Sequence, residues 1–257
     1  MKKITDYLKS FFEEFVVLLN NVPTLIVSLF ILAVIGMNLL ANKSINTGLD
    51  WLALDCGIIF SWLTFMTMDI LTKRYGPRAA TMISILALLI NLILSLLFFA
   101  ASKIPGVWGE SFVPGNEDTI NTALDKTLGG TWYIIIGSSV AFIVSAFVNN
   151  FMNWGIGKAL KEKPNSFVAF ATRAYISTMV GQFVDNIVFA LIVSRVFFGW
   201  SYIQCVTCAA SGALLELLFE IVFSPLGFKI CNSLEKKKIG QDYFDYVREK
   251  RNKEVNV

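Results

Sequence analysis

Four stretches of this chain run for 20 residues or more without a charge. Phe15 to Asn42 has 28 such residues, Ala79 to Ser102 has 24, Thr127 to Gly157 has 31 and Val196 to Leu215 has 20. A helix needs about 20 apolar residues to cross the hydrocarbon core of a bilayer. Two further apolar stretches carry isolated charges. Trp51 to Leu71 holds Asp55 and Asp69, and Phe170 to Trp200 holds Arg173, Asp185 and Arg195. Together they predict six transmembrane helices, near 24–42, 51–71, 79–101, 131–156, 170–197 and 203–228, in an all-α polytopic membrane protein. Composition agrees: 55% of the residues are hydrophobic and only 16% charged, against roughly 25% charged in soluble domains. A soluble domain of 257 residues could not hide so much apolar surface from water.

The 22 Lys and Arg are placed asymmetrically. Six spans put eighteen of them on the side of the two termini. Only Lys43, Lys103, Lys126 and Arg195 fall on the other side. The positive-inside rule therefore places both termini in the cytoplasm. Trp51, Trp132, Tyr133, Trp200 and Tyr202 fall where spans meet the outer interface. Three segments result: a cytoplasmic head (1–23), a transmembrane unit (24–228) with an external loop near 102–130, and a basic cytoplasmic tail (229–257). In the head, Ile4, Leu8, Phe11, Phe12, Phe15 and Leu19 recur at helical spacing with Lys9, Glu13 and Glu14 between them. That is the pattern of an amphipathic helix lying on the inner membrane surface. The tail, with Lys236, Lys237 and Lys238, reads as a solvated segment drawn to anionic lipid.

The chain has no His, which excludes His-dependent nucleophilic catalysis and HExxH zinc chemistry. Cys205 and Cys208 stand at CxxC spacing at the start of a helix without companion ligands, so small packing residues are the plainer reading. No Walker A motif is present. Nothing here calls for an enzyme, a metal, a cofactor or a nucleic acid. The partners expected are lipid and a small solute, with homo-oligomerisation left open.

A charge at the bilayer centre costs at least ~2.5–3.5 kcal/mol, so each intramembrane charge needs a partner or a polar cavity. Asp185 lies halfway along the fifth span, on one helical face with Thr178, Gly181 and Gln182. Glu216 and Glu220 are one turn apart in the sixth. Asn149, Asn150 and Asn153 cluster in the fourth, with Ser145 one turn earlier; Asn38 and Asn91 sit in the first and third. Lone Asn side chains often join helices by hydrogen bonds, the plainer reading for Asn38 and Asn91. Arg173 can neutralise Glu220 or Asp69, but not Asp185, Glu216 and Glu220 together. These residues therefore predict a polar cavity between the fourth, fifth and sixth helices. Carboxylates and carboxamides suit a neutral or cationic ligand rich in N–H donors, because a carboxylate accepts two parallel N–H bonds. Phe or Trp nearby would stack on a ring.

Two longer patterns carry a family resemblance. Met68-Asp69-Ile70-Leu71-Thr72-Lys73-Arg74-Tyr75-Gly76, followed by Ala79-Ala80, resembles the "TDIxxExYG…A" signature of the vitamin uptake transporters, the queuosine precursor transporter family. Residues 173–189, with Arg173, Ser177, Thr178, Gln182, Asp185 and Phe189, resemble its "RxxxSTxxgQxxDTxxF". The end of the first span, Asn38 to Lys43, is similar to its "NxxaxK". The resemblance spans about residues 30–230 and implies import of a queuosine precursor: 7-cyano- or 7-aminomethyl-7-deazaguanine, or queuine. Carried over, it implies roles for Asn38, Lys43, Asp69, Arg173, Ser177, Thr178, Gln182 and Asp185. With the cavity residues, the substrate set becomes Asp185, Gln182, Thr178, Ser177, Glu216, Glu220, Asn149, Asn153 and Asn38. Asp69, Arg173 and Lys43 are expected in a gate or ion pair. Lys73 stands where the family carries an acidic residue, and Asn186 where it carries Thr. The resemblance implies a plasma-membrane secondary transporter working by alternating access. The alternative is a substrate-binding subunit of an energy-coupling-factor type, needing a separate ATPase.

Overall fold

Pro23 divides the first uncharged stretch in two. It has no N–H to donate, and its ring pushes the preceding residue away from helical backbone. In the computed structural model, which describes residues 2–108, 115–159 and 167–255, helix α1 (Lys2–Asn21) ends there and α2 (Thr24–Leu40) begins. Their axes differ by 107°. The chain continues through a two-stranded antiparallel hairpin, β1 (Ser44–Ile45) with β2 (Leu54–Asp55), then α3 (Ile58–Tyr75) and α4 (Pro77–Ala101). The rest is helical: α5 (Glu117–Gly129), α6 (Thr131–Ala159), α7 (Phe167–Phe189), a π-helical turn at Ala190–Ser194, α8 (Arg195–Phe198), α9 (Tyr202–Lys236) and α10 (Gln241–Val255).

By length and composition, four described helical stretches can each cross a membrane: Pro77–Ala101, Asp118–Ser145, Thr178–Phe198 and Tyr202–Phe223. The bent pair α1–α2 makes a fifth if it counts as one span. The stretch expected as a span at 51–71 is the one that differs. Its first residues enter the hairpin instead, and the shortened α3 carries Asp69, Lys73 and Arg74 among 18 residues. The hairpin wins locally because it satisfies the backbone. Cys56 N–H donates to the Lys43 carbonyl, Thr47 Oγ1 donates to the Leu52 carbonyl, and Asp55 Oδ1 accepts the Gly57 N–H at 2.8 Å. The last bond turns the chain into α3, the use to which Asp is put at helix starts. Packing at the head of α3 burdens the Asp55 carboxyl, and burial pushes it up to about 6 despite the opposing Gly57 N–H.

Helix α2 approaches α3 so closely there that a Cβ on Gly57 would lie 2.6 Å from the Met37 carbonyl oxygen. That neighbour is backbone and cannot swing away. Gly57→Ala is therefore expected to destabilise the protein by about 1–3 kcal/mol, as overpacking does. Thermal unfolding followed by Trp fluorescence measures this, and an unchanged melting temperature would mean that the two helices have room to separate.

At the opposite end, the predicted tail is helical and folds back on the head, with Lys236, Lys237 and Lys238 exposed. The apolar run ends near Phe228, but α9 continues to Lys236 and α10 folds back onto α1. At about 52 Å, α9 is longer than a bilayer core is thick. The turn between α9 and α10 uses Lys238 and Gly240 at positive φ, and a Cβ on Gly240 would meet the Tyr75 ring at 2.5 Å. Tyr243 and Phe244 pack on Tyr75, and Arg74 donates to the Ile239 carbonyl at 2.7 Å. Glu14 on α1 is 2% exposed and bound by Arg78 at 2.8 Å and Lys250 at 2.7 Å. The other side of α1 leaves Leu8, Phe12 and Val16 exposed. The largest apolar cluster lies at this end and runs up α1 and α2 through Leu18, Val22, Ile26, Phe30 and Val34.

Two smaller apolar clusters lie at the hairpin end, around Ala53, Trp200 and Cys205 and around Ala41, Ile134 and Val193. There Thr207 donates to the Trp51 carbonyl and Gln204 to the Asp50 carbonyl, and Tyr133 stacks on Phe197. The loop expected at 102–130 contains α5, and Trp108 is held to it through Asn121 and Asp125.

Candidate functional site

Between the apolar clusters lies a layer of polar side chains. Among the described residues, none of the three clusters includes a member from 142–149 of α6, 178–186 of α7 or 212–223 of α9. Helix α7 packs against both α6 and α9. From α6, the Ser145 hydroxyl donates to Asp185 Oδ1 at 2.9 Å. From α7, the next residue, Asn186, donates its amide to Glu216 Oε2 on α9 at 3.2 Å. Consecutive positions on a helix point about 100° apart. Asp185 and Asn186 thus reach opposite neighbours and tie three helices together at one level. Gly212, one turn before Glu216, makes room, since a Cβ there would lie 2.8 Å from the Asn186 amide nitrogen. Glu216 is 7% exposed.

Helix α9 presents Glu216, Phe219, Glu220 and Phe223 at spacings of three and four, hence on one face. Helix α3 packs against α9, and its Trp62 stacks on Phe223 with ring centroids 4.7 Å apart; Phe219 lies 6.4 Å from Phe223. Carboxylates and flat aromatic rings therefore alternate along one surface. Such a surface can accept the N–H edge of a planar heterocycle and stack on its face. It contains no group of three or more described Cys, Asp or Glu suited to a metal. An open groove of about 520 Å³ farther along α9, lined by Phe228, Lys229, Lys236 and Lys237, belongs to the basic end of that helix and not to this layer.

The residues singled out from sequence divide into three groups. Asp185 is bonded to Ser145 of α6 and Glu216 to Asn186 of α7, with Gln182 and Thr178 half-buried one and two turns before Asp185 and Glu220 half-buried one turn after Glu216. Asn38 is buried on α2, where its amide donates to its own helix at the Val34 carbonyl, and Lys43 is exposed at the hairpin. Helix α3 puts about 16 Å of rise between its first residue, next to that hairpin, and Asp69, so Lys43 stands apart from the expected gate. Asp69, Asn149, Asn153, Arg173 and Ser177 lie on α3, α6 and α7, but their side chains fall outside the described residues. Sequence reasoning left Ser145 and Asn186 out of the site. Both gave signals: Ser145 is one turn from Asn149, and Asn186 departs from the family pattern beside Asp185.

A bundle of long apolar helices with a buried carboxylate and buried amides along it is the architecture of a multi-pass membrane protein. A family model described as "Putative vitamin uptake transporter" matches residues 55–230. The match covers more than half of the chain, and the protein belongs to that family. Neither a curated protein nor a solved structure matches it.

Proposed function

We propose that this chain imports a queuosine precursor, 7-cyano- or 7-aminomethyl-7-deazaguanine or queuine, by alternating access. The observation that carries the reading is the α9 face on which buried Glu216 alternates with Phe219 and Phe223, opposite Asn186 and Trp62. A deazaguanine offers adjacent N–H donors and a flat ring, which are the two features this face can bind. Asp185 and Gln182 read the ligand edge, and Glu216 and Glu220 support them. Asn149 and Asn153 of α6 and Ser177 and Thr178 of α7 contribute beside them. Asp69 and Arg173 form the gate or ion pair.

The same reading counts α2, α3, α4, α6, α7–α8 and α9 as six spans in the plasma membrane, with α1, α10 and both termini in the cytoplasm. Contacts at the two ends support this count. Tyr75 at the end of α3 packs on α10, whereas Asp50 and Trp51 of the hairpin bind the start of α9. Uptake by vesicles that contain only this protein would support the secondary mechanism over an energy-coupling-factor subunit.

The direct test is thermal stabilisation of the detergent-purified protein by both deazaguanines, guanine, queuine, riboflavin and biotin. At 100 times its dissociation constant a ligand adds about 2.7 kcal/mol. Stabilisation by the deazaguanines or queuine alone, lost in Asp185→Asn and Gln182→Ala, is the expected result. A response only to riboflavin or biotin would overturn the substrate, and wild-type responses in both variants would move the site.

A further inference from the structure

Helix α4 turns one narrow strip inward. Ala80, Ser84, Ala87, Asn91 and Ser95 are all buried, at spacings of three and four residues. The first part of the strip is ordinary core: Ala80 and Ala87 belong to the large apolar cluster, and Ser84 donates to the Ala80 carbonyl. Beyond Ala87 that cluster ends, and two polar side chains follow one turn apart. Asn91 is 2% exposed and Ser95 1%. Neither the Asn91 amide nitrogen nor the Ser95 hydroxyl has a hydrogen-bond partner among the described residues.

Several buried polar groups of the bundle bond to their own helices. Ser61, Thr67 and Thr131 each donate to a carbonyl one turn back, and so does the Asn38 amide. Ser95 could make the same bond to its own helix and does not. An asparagine that joined helices would be bonded to a neighbour, and Asn91 lacks such a bond through its donor. A buried donor without an acceptor is unfavourable, and sequences keep such groups where they serve a function. In an apolar environment the penalty is not relieved by bulk water.

We infer that Asn91 and Ser95 form a second ligand position on the α4 wall of the transport path. It meets a neutral solute through a hydrogen-bond acceptor, such as a ring carbonyl or ring nitrogen. The inference rests on the transporter reading and deepens it. The α7 and α9 carboxylates can take only the N–H edge of a heterocycle. Helix α4 packs on α6, which carries Ser145, and its Asn91 and Ser95 supply donors that those carboxylates cannot.

The test compares Asn91→Leu and Ser95→Ala with the wild type in melting temperature and in uptake of 7-cyano-7-deazaguanine. Removing an unmet donor should leave the ligand-free melting temperature equal or higher, while uptake falls at least tenfold in Asn91→Leu and less in Ser95→Ala. Uptake within twofold of wild type in both would overturn the inference. So would a lower melting temperature in both, since that would show the groups to be bonded within the fold. A wild type that ignores 7-cyano-7-deazaguanine would overturn the substrate reading instead. Ser95→Cys then decides the α4 position without any ligand. Labelling by aqueous aminoethyl methanethiosulfonate above the level of the four native cysteines supports a solute path, and no added labelling refutes it.

Discussion

Asn186→Leu should destabilise the folded protein by about 1–3 kcal/mol and lower uptake at least tenfold. Glu216 is 7% exposed and accepts the Asn186 amide at 3.2 Å. Leucine has a similar size but no donor, so a buried carboxylate loses its partner and keeps its desolvation penalty. Space is also limited there, because even a Cβ on Gly212 would lie 2.8 Å from the Asn186 amide nitrogen. The double variant Asn186→Leu/Glu216→Leu separates stability from function. Removing both partners of a buried polar pair is far less damaging than removing one. The double variant should therefore recover much of the stability lost by Asn186→Leu and none of the uptake. Purely additive losses in the double-mutant cycle would show that the two side chains act independently.

Glu14→Gln should loosen both terminal helices together, by about 2–3 kcal/mol. The carboxylate is 2% exposed and holds Lys250 of α10 and Arg78 of α4 at once. The Arg78 side chain is 57% exposed, so water screens its share, and the Lys250 contact carries most of the effect. Burial, with Glu14 adding to it and Arg78 opposing, pushes the nearby Tyr243 phenol up to about 12. The folded state thus holds that proton more tightly than the unfolded one. The resulting stability is complete below pH 10 and is lost as pH rises from about 10 to about 12. Limited trypsin digestion in the 229–238 segment and hydrogen exchange in α10 would report the loosening. Equal protection of α10 in Glu14→Gln and wild type would show that Tyr75, Tyr243 and Phe244 hold the helix without the ion pairs.

Much of this architecture was legible in one dimension. An uncharged run of 20 or more residues has few places to go except a membrane helix, and α2, α4, α6 and α9 start within about two residues of where those runs begin to read as helix. The amphipathic spacing of α1 and the resemblance at 173–189 were equally local. The misses share a cause. Residues 51–57 are as apolar as a span, but Asp55 and the Thr47 hydroxyl offered the backbone a hairpin, and periodicity does not weigh such bonds. Lys236, Lys237 and Lys238 of the tail are exposed, but counting charges gave no sign of the contact that Lys250 makes. Lys250 is basic in any count, yet it is held by Glu14, 236 residues earlier.

The candidate site divides along the same line. Sequence alone determined which ionisable groups had to be buried, because lipid exposes no water to Asp185 or Glu216 at mid-helix. It also determined the face shared by Glu216, Phe219, Glu220 and Phe223, because helical periodicity is local. Only the tertiary structure decided who meets whom. It joined Ser145 to Asp185 across 40 residues and Asn186 to Glu216 across 30, and it left the Asn91 and Ser95 donors unmet. Pairings of that kind depend on how far each helix rises and rotates against its neighbours, which is set by packing rather than by the order of residues along any one of them.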